Sequence, residues 1–180
     1  MMMPEFKFCP SCATPLAPVQ QLEDSGFKVR LRCPACDFTH WNNPAPVLAA
    51  VVEYQGKVLL ARNAAWESRM FALITGFMEA DETPQAGIAR EVKEEINLET
   101  TALSLIGVYD FQAMNQVIVA YHAVCTGEVR LSPELVEYKL FDLQKVKCWP
   151  AGTGYALADW LRSRGYEPAF MERGGNPPPN

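Results

Sequence analysis

The chain has 180 residues, of which 49% are hydrophobic and 21% charged, and its formal net charge is −5. This length accommodates one medium domain and a small additional one, and the apolar fraction is that of a globular protein with a hydrophobic core. No apolar run reaches the length of about 20 residues that a membrane span needs. The sequence also has no block of lysine or arginine residues of the kind that would favour strong nucleic-acid binding. We therefore expect neither a membrane nor a nucleic acid as a strongly bound partner.

Four of the six cysteines form two Cys-x2-Cys pairs near the N-terminus, namely Cys9, Cys12, Cys33 and Cys36. This spacing is typical of a structural zinc site, in which four thiolates complete a tetrahedral shell and leave no position for water. Disulfides or a redox-active pair are the alternatives. The start of the chain has no long apolar stretch of the kind found in secretory signals, so we expect a cytoplasmic protein, in which disulfides are disfavoured.

The cysteine pairs indicate a small separate domain. Residues 27–31 alternate like a strand of a zinc ribbon, and residues 40–46 (HWNNPAP) predict a turn or extended link. We therefore predict a zinc ribbon at residues 1–40, a second domain at 41–171 and a disordered tail at 172–180, where proline, glycine and asparagine predominate. A ribbon of this size buries little apolar surface, so metal binding would supply its folding free energy.

The second domain begins with two predicted strands. Apolar runs at residues 47–52 and 57–61 have the length of strands, and Gln55-Gly56 between them suits a tight turn. A third apolar run, at residues 71–74, leads into Gly76 and a loop. These strands and the loop precede a predicted helix, and this strand–turn–helix order is the context in which a functional motif at the start of a helix is expected.

The next segment predicts a helix with defined ends and an acidic face. Thr83 suits the N-cap, Pro84 suits the first helical position, and Asn97 tolerates the left-handed conformation that ends a helix. Three apolar residues fall on the core-facing side: Ala89, Val92 and Ile96. Three carboxylates share the other face at positions i, i+3 and i+4: Glu91, Glu94 and Glu95. These carboxylates repel one another, and Mg²⁺ or Mn²⁺ prefers such oxygen ligands, so the face predicts a metal site. An ordinary solvated acidic helix is the alternative.

Residues 76–98, GFMEADETPQAGIAREVKEEINL, resemble the signature of the Nudix hydrolases, which cleave a diphosphate linked to another group. The family usually has glycine where this chain has Asn97. The resemblance implies an α/β fold, the Nudix α/β/α sandwich with a mixed sheet, preceded here by the zinc ribbon. It also implies catalytic Mg²⁺ or Mn²⁺ with five candidate ligands: Gly76, Glu82, Glu91, Glu94 and Glu95.

A zinc ribbon before such a domain resembles the NADH pyrophosphatase branch of the family, and plant flavin-dinucleotide pyrophosphatases look similar. The segments ITGFMEADET, ELVEYKLFDL and WPAGTGYALADWL are similar to the branch's catalytic loop, closing strand and final helix. The SQPWPFP-like segment of that branch is missing at residues 107–119. The resemblance therefore implies hydrolysis of a dinucleotide such as NADH, FAD or ADP-ribose to two monophosphates, with weak selectivity for nicotinamide, by a homodimer.

The resemblance also suggests roles for individual residues. Glu94 is the first candidate for the general base, and Arg90 would orient the neighbouring glutamates. Family members often carry a further glutamate just before a late strand; Glu137 matches that place, and Glu134 is the reserve. Phe77 is the candidate ring for stacking on a flat substrate group, with a core position as the alternative.

Two other functions stay open from the sequence. The same chemistry could remove NAD-type caps from RNA 5′ ends, or the chain could bind a nucleotide as a regulator without catalysis. The lack of a basic stripe argues against strong RNA affinity, and the intact glutamate face argues against a regulator. A small nucleotide is therefore the expected partner.

Overall fold

The computed structural model describes residues 6–66 and 70–171. The chain divides into two compact units, Met1–Pro44 and Ala45–Asn180. The tail predicted to be disordered, residues 172–180, lies outside the described residues. Within residues 6–66 and 70–171, no helix has the length and apolar character that crossing a membrane would require.

The N-terminal unit is built on a three-stranded antiparallel sheet in the order β1-β2-β3. Its strands are β1 (Ala17–Glu23), β2 (Gly26–Arg32) and β3 (Thr39–His40). The alternating segment at residues 27–31 lies in β2, as predicted. Phe27 and Val29 of this strand are 70% and 66% exposed. The unit therefore has little apolar core of its own, which fits a domain held together by its cysteines.

The second unit is organised around a six-stranded mixed sheet. Its strands are β4 (Ala45–Tyr54), β5 (Lys57–Asn63), β6 (Ile74–Phe77), β7 (Glu99–Phe111), β8 (Gln116–Thr126) and β9 (Leu135–Phe141). The order is β7-β8-β4-β5-β9, and β6 pairs with the first half of β4. Only the β4–β8 pair is parallel among these strands of the described chain. Gln55 and Gly56 both have positive φ, 54° and 72°, as the predicted two-residue hairpin turn requires.

Helices α1 (Pro84–Ile96) and α2 (Thr153–Ser163) cover the two faces of this sheet. Residues 48, 50 and 52 of β4 pack in one core with three residues of α1: Ile88, Val92 and Ile96. Residue 51 packs in a second core with Leu157, Trp160 and Leu161 of α2. Burial on both faces explains why residues 47–52 form a continuous apolar run. The fold is thus the α/β/α sandwich with a mixed sheet that the resemblance to the Nudix hydrolases implies. A short parallel pair, β10 (Lys147–Cys148) and β11 (Ala169–Phe170), completes the unit.

Helix α1, which carries the acidic face, begins and ends where the sequence predicts. The N–H of Ala86 donates to the side chain of Thr83 at 3.2 Å, so Thr83 is the N-cap. Asn97 has φ 60°, and its N–H donates to the carbonyl of Lys93 at 3.0 Å, which closes the helix. One detail differs: Ile88 takes a fully buried position on the inner side, whereas Ala89 is half-buried.

Candidate active site

Arg90 joins the loop before α1 to the acidic face of the helix. Its Nε and Nη2 donate to the two carboxylate oxygens of Glu82 at 3.1 and 3.0 Å. Its Nη1 donates to Glu91 at 2.8 Å and to Glu94 at 3.0 Å, and Nη2 also donates to the carbonyl of Phe77 at 3.3 Å. Hydrogen bonding to Glu82 first, and to the other glutamates, raises the pKa of Arg90; the same contact lowers the pKa of Glu82. Arg90 therefore holds the carboxylates of Glu82, Glu91 and Glu94 through its guanidinium group.

Glu91 is the most buried of the three acidic residues, with 9% of its surface exposed. Its carboxyl group lies directly against Gly76, where a Cβ would overlap it. Any side chain at position 76 would therefore displace the Glu91 carboxylate from this place. Burial raises the pKa of Glu91, and the hydrogen bond from Arg90 opposes that rise.

Glu95 lies at the last turn of α1 and contacts a distant loop. The hydroxyl of Ser132 donates to Glu95 Oε2 at 2.9 Å, and the backbone N–H of Ser132 donates to the Glu95 carbonyl at 2.9 Å. Burial raises the pKa of Glu95; the Ser132 hydrogen bond opposes this, and the charge of Glu134 adds to it. No sequence signal identifies Ser132, because 37 positions separate it from its partner.

Glu95 and Glu134 line the same small, open cleft, with a volume of about 60 Å³. Its other polar or aromatic walls are Asn63, Trp66 and Thr75. The Oδ1 atom of Asn63 accepts the N–H of Ala65 at 2.8 Å, which orients the side-chain amide. Trp66, which composition alone would assign to a core, thus also forms a wall beside the acidic helix.

Glu137 lies on the other face of the sheet. Its carboxylate contacts Arg62 at 3.4 Å and Lys139 at 3.3 Å. Phe141, four residues later on the same side of β9, packs in the α2-side core. The register of β5 and β9 shifts between Arg62 and Asn63, so Leu135 packs instead against the α1-side core. The structure therefore brings the reserve candidate, Glu134, beside Glu95, and it keeps Glu137 away from α1.

The acidic residues suit a hard divalent cation by the chemistry of their donors, since carboxylate oxygens are its preferred ligands. Their oxygens do not yet converge. Within the described part of the chain, only the four cysteines bring three or more ligand atoms within 4.8 Å of one another. Arg90 lies between the carboxylates of Glu91 and Glu94, but the Glu94 side chain is 58% exposed and can turn without repacking. The three glutamates would hold such a cation if the Glu94 carboxylate turned towards Glu91 and Glu95, and the cation would supply the charge that a diphosphate needs neutralised.

Residues 42–161 match the family model of the NUDIX domain. The chain belongs to the Nudix family. Among curated proteins it is similar to the NAD-capped RNA hydrolase NudC of Pseudomonas putida (strain W619), with 25% identity over 154 residues that cover 84% of this chain and 54% of that protein. It is also similar to NudC of Mycobacterium tuberculosis (strain ATCC 25177 / H37Ra), with 31% identity over 117 residues, 63% of this chain and 36% of the relative. The chain thus spans about half or less of the length of these curated relatives.

Solved structures show the same fold. A NUDIX hydrolase from Nitrosomonas europaea superposes with a TM-score of 0.73 at 29% identity, covering 92% of this chain and 97% of the other. An ADP-ribose pyrophosphatase from Streptococcus suis 89-1591 superposes with a TM-score of 0.57 at 21% identity, covering 72% of this chain and 100% of that one. The second likeness shows the fold alone.

Phe77 ends strand β6 of the Nudix domain, and it is 58% exposed. The alternative of a core phenylalanine is therefore excluded. Its carbonyl accepts from Arg90, so the backbone that carries the ring is anchored to the acidic helix. An exposed ring on a fixed backbone is suited to stack on a flat group.

The cysteine cluster lies in the N-terminal unit, away from the Nudix signature in sequence. The sulfur atoms of Cys9 and Cys36 lie 3.6 Å apart, those of Cys12 and Cys33 3.4 Å, and those of Cys12 and Cys36 3.8 Å. Four sulfurs around one Zn²⁺ at 2.3 Å would lie about 3.8 Å apart, so the spacing fits a tetrahedral zinc shell. In each pair the N–H two residues after the first cysteine points at its sulfur: Ser11 to Cys9 and Ala35 to Cys33, both at 3.4 Å. Cys125 and Cys148 are buried free thiols.

Proposed function

We propose that this chain is a metal-dependent pyrophosphohydrolase that cleaves the diphosphate of a dinucleotide such as NADH, FAD or ADP-ribose to two monophosphates. The single observation that carries this proposal is the arrangement of Glu91, Glu94 and Glu95 on one helix, held by Arg90 and bordered by a cleft, in a member of the Nudix family. The relatives named NAD-capped RNA hydrolase support a diphosphate of the NAD type.

Each residue has a distinct task in this proposal. Mg²⁺ or Mn²⁺ held by the three glutamates, with Glu82 and the Gly76 carbonyl as further candidate ligands, would neutralise the diphosphate and activate water. Arg90 keeps the carboxylate of Glu91 in place, and it anchors the loop through Glu82. Glu94 is the preferred general base, because its carboxylate is the exposed one. Glu134 takes the place that the sequence assigned to Glu137, because it shares the cleft with Glu95.

In this proposal the cleft binds one half of the substrate and Phe77 binds the other half. One nucleoside enters the cleft, where Trp66 offers a ring and the oriented amide of Asn63 offers polar groups. The exposed ring of Phe77 stacks on the other flat group. Neither surface provides a dense set of hydrogen bonds to one base, which supports broad use of dinucleotides rather than a strict preference.

The N-terminal cysteines hold one structural Zn²⁺ in this proposal. The sulfur spacing supports it, together with the N–H groups directed at Cys9 and Cys33. Because four thiolates fill the tetrahedral shell, this zinc takes no part in the hydrolysis. A homodimer is proposed from the resemblance, and light scattering at several protein concentrations tests it.

The test is kcat/KM for NADH, NAD⁺, FAD, ADP-ribose, a nucleoside triphosphate and an NAD-capped RNA under one metal condition. We expect several dinucleotides to be cleaved at comparable efficiency and the triphosphate to be a poor substrate. Glu94→Gln is the matched inactive control. A preference for NADH of about 10³-fold, which dedicated polar contacts can give, would contradict the proposed breadth.

A second candidate function is removal of NAD-type caps from RNA, which the names of the curated relatives favour. The net charge of −5 argues against tight binding of the RNA chain. The panel separates the two functions, because a decapping enzyme would prefer the capped RNA to free NAD⁺ by a large factor. If basic residues hold the RNA backbone, we expect this preference for capped RNA to become smaller at high salt.

A further inference from the structure

Ser132 precedes strand β9 and contacts both acidic residues of the cleft. Its hydroxyl donates to Glu95 Oε2 at 2.9 Å, and it accepts the backbone N–H of Glu134 at 3.3 Å. The carbonyl of Glu134 in turn accepts the N–H of Ala64 at 2.7 Å. The Ser132 hydroxyl is therefore oriented from both sides, since the incoming N–H occupies a lone pair and the proton points at Glu95.

We propose that Ser132 is a positioning residue, which holds one oxygen of Glu95 so that the other faces the cation, and which fixes Glu134 opposite. This inference rests on the proposed function, in which α1 binds Mg²⁺ or Mn²⁺. A glutamate side chain has three rotatable bonds, and a hydrogen bond to one oxygen removes most of that freedom before the cation arrives. Ser132 thus does for Glu95 what Arg90 does for Glu91, but from a loop far away in sequence.

A purely structural role for Ser132 is separable from the proposed one. The backbone N–H of Ser132 satisfies the Glu95 carbonyl in the last turn of α1, where helix carbonyls lack partners within the helix. Alanine at position 132 keeps this backbone bond and removes only the hydroxyl. Loss of the hydroxyl should therefore change cation binding more than it changes folding.

The experiment compares the full-length wild type with Ser132→Ala and Ser132→Thr. Ser163→Ala is the matched control, because the Ser163 hydroxyl donates to the Trp160 carbonyl at 2.7 Å in α2, on the other side of the sheet. Mn²⁺ affinity is measured without substrate by electron paramagnetic resonance, and Tm is measured without metal. We expect Ser132→Ala to weaken Mn²⁺ binding about 10- to 100-fold, as loss of a ligand's hydrogen-bond partner typically does. Ser132→Thr should recover most of this affinity, and Ser163→Ala should keep the wild-type value.

Three results would overturn the inference: wild-type Mn²⁺ affinity in Ser132→Ala, no recovery in Ser132→Thr, or an equal loss in Ser163→Ala. A metal-free Tm that falls by much more than about 2–4 °C, the size expected for about 1 kcal/mol in a chain of this length, would show a structural role instead. A wild type that binds Mn²⁺ through Glu94 but cleaves no dinucleotide refutes the proposed function and leaves the role of Ser132 standing. A wild type that binds no Mn²⁺ refutes both.

Discussion

Replacing Arg90 by lysine tests whether the guanidinium organises the acidic face or only supplies a positive charge. Arg90 donates five hydrogen bonds, two to Glu82 and one each to Glu91, Glu94 and the Phe77 carbonyl. Lysine keeps the charge, but its three hydrogens radiate from a single atom and cannot reproduce the planar fork. The substitution therefore changes geometry at constant charge.

The structure sets the size of the effect. The bonds to Glu82 and Glu91 are largely shielded, since side-chain exposure is 25% for Arg90, 14% for Glu82 and 12% for Glu91. The bond to Glu94 counts for little, because that carboxylate is 58% exposed. Lysine can keep one of the three shielded bonds. Losing two, at about 1.5–3 kcal/mol each before a discount for solvent, should lower the free energy of unfolding by about 2–4 kcal/mol.

The assay is thermal unfolding in the absence of metal, with kcat under saturating Mg²⁺ as the second measurement. We expect Arg90→Lys to lower Tm by about 5–15 °C and kcat by about 10- to 100-fold. The matched control is Arg130→Lys, because Arg130 forms one ion pair with Glu128 at 2.9 Å and both side chains are more than 70% exposed. An Arg90→Lys variant as stable and active as Arg130→Lys would refute the reasoning, since charge alone would then suffice.

Three further predictions concern the acids and the cysteines. Glu94→Gln and Glu134→Gln should each lower kcat, the first by at least about 10²-fold, whereas Glu137→Gln should be nearly neutral; equal losses in all three would contradict the face assignment. Burial raises the pKa of Glu91 above its unfolded value, so folding favours the protonated carboxyl group. The resulting stabilisation is fully present below the unfolded pKa and is lost as pH rises through the folded pKa. Glu91→Gln should therefore raise the metal-free Tm at neutral pH while abolishing hydrolysis, and a lower Tm at pH 7 would count against this sign. Elemental analysis after dialysis should find one Zn²⁺ per chain, and mutating any one of the four cysteines should reduce it; an intramolecular disulfide found by mass spectrometry would exclude the zinc site.

The sequence by itself determines the parts of this protein that depend on neighbours along the chain. Thr83 and Asn97 delimit α1 through contacts within four residues. The spacing i, i+3 and i+4 alone places three glutamates on one face of that helix. The two Cys-x2-Cys pairs predict a four-sulfur cluster, because each pair turns within four residues. The hairpin at Gln55-Gly56 follows from its turn chemistry in the same way.

Only the tertiary structure decides which distant residues join that helix. The sequence favours Glu137 over Glu134, but Glu134 lies just before β9 and lines the cleft with Glu95, whereas Glu137 pairs with Arg62. Ser132 reaches Glu95 across 37 residues. Backbone N–H groups of Arg130 and Ser132 donate to carbonyls in the last turn of α1 and hold this segment there, and no local sequence pattern records contacts over such a distance. Local chemistry therefore fixed the acidic helix, whereas long-range packing of the segment before β9 brought a carboxylate and a hydroxyl beside it.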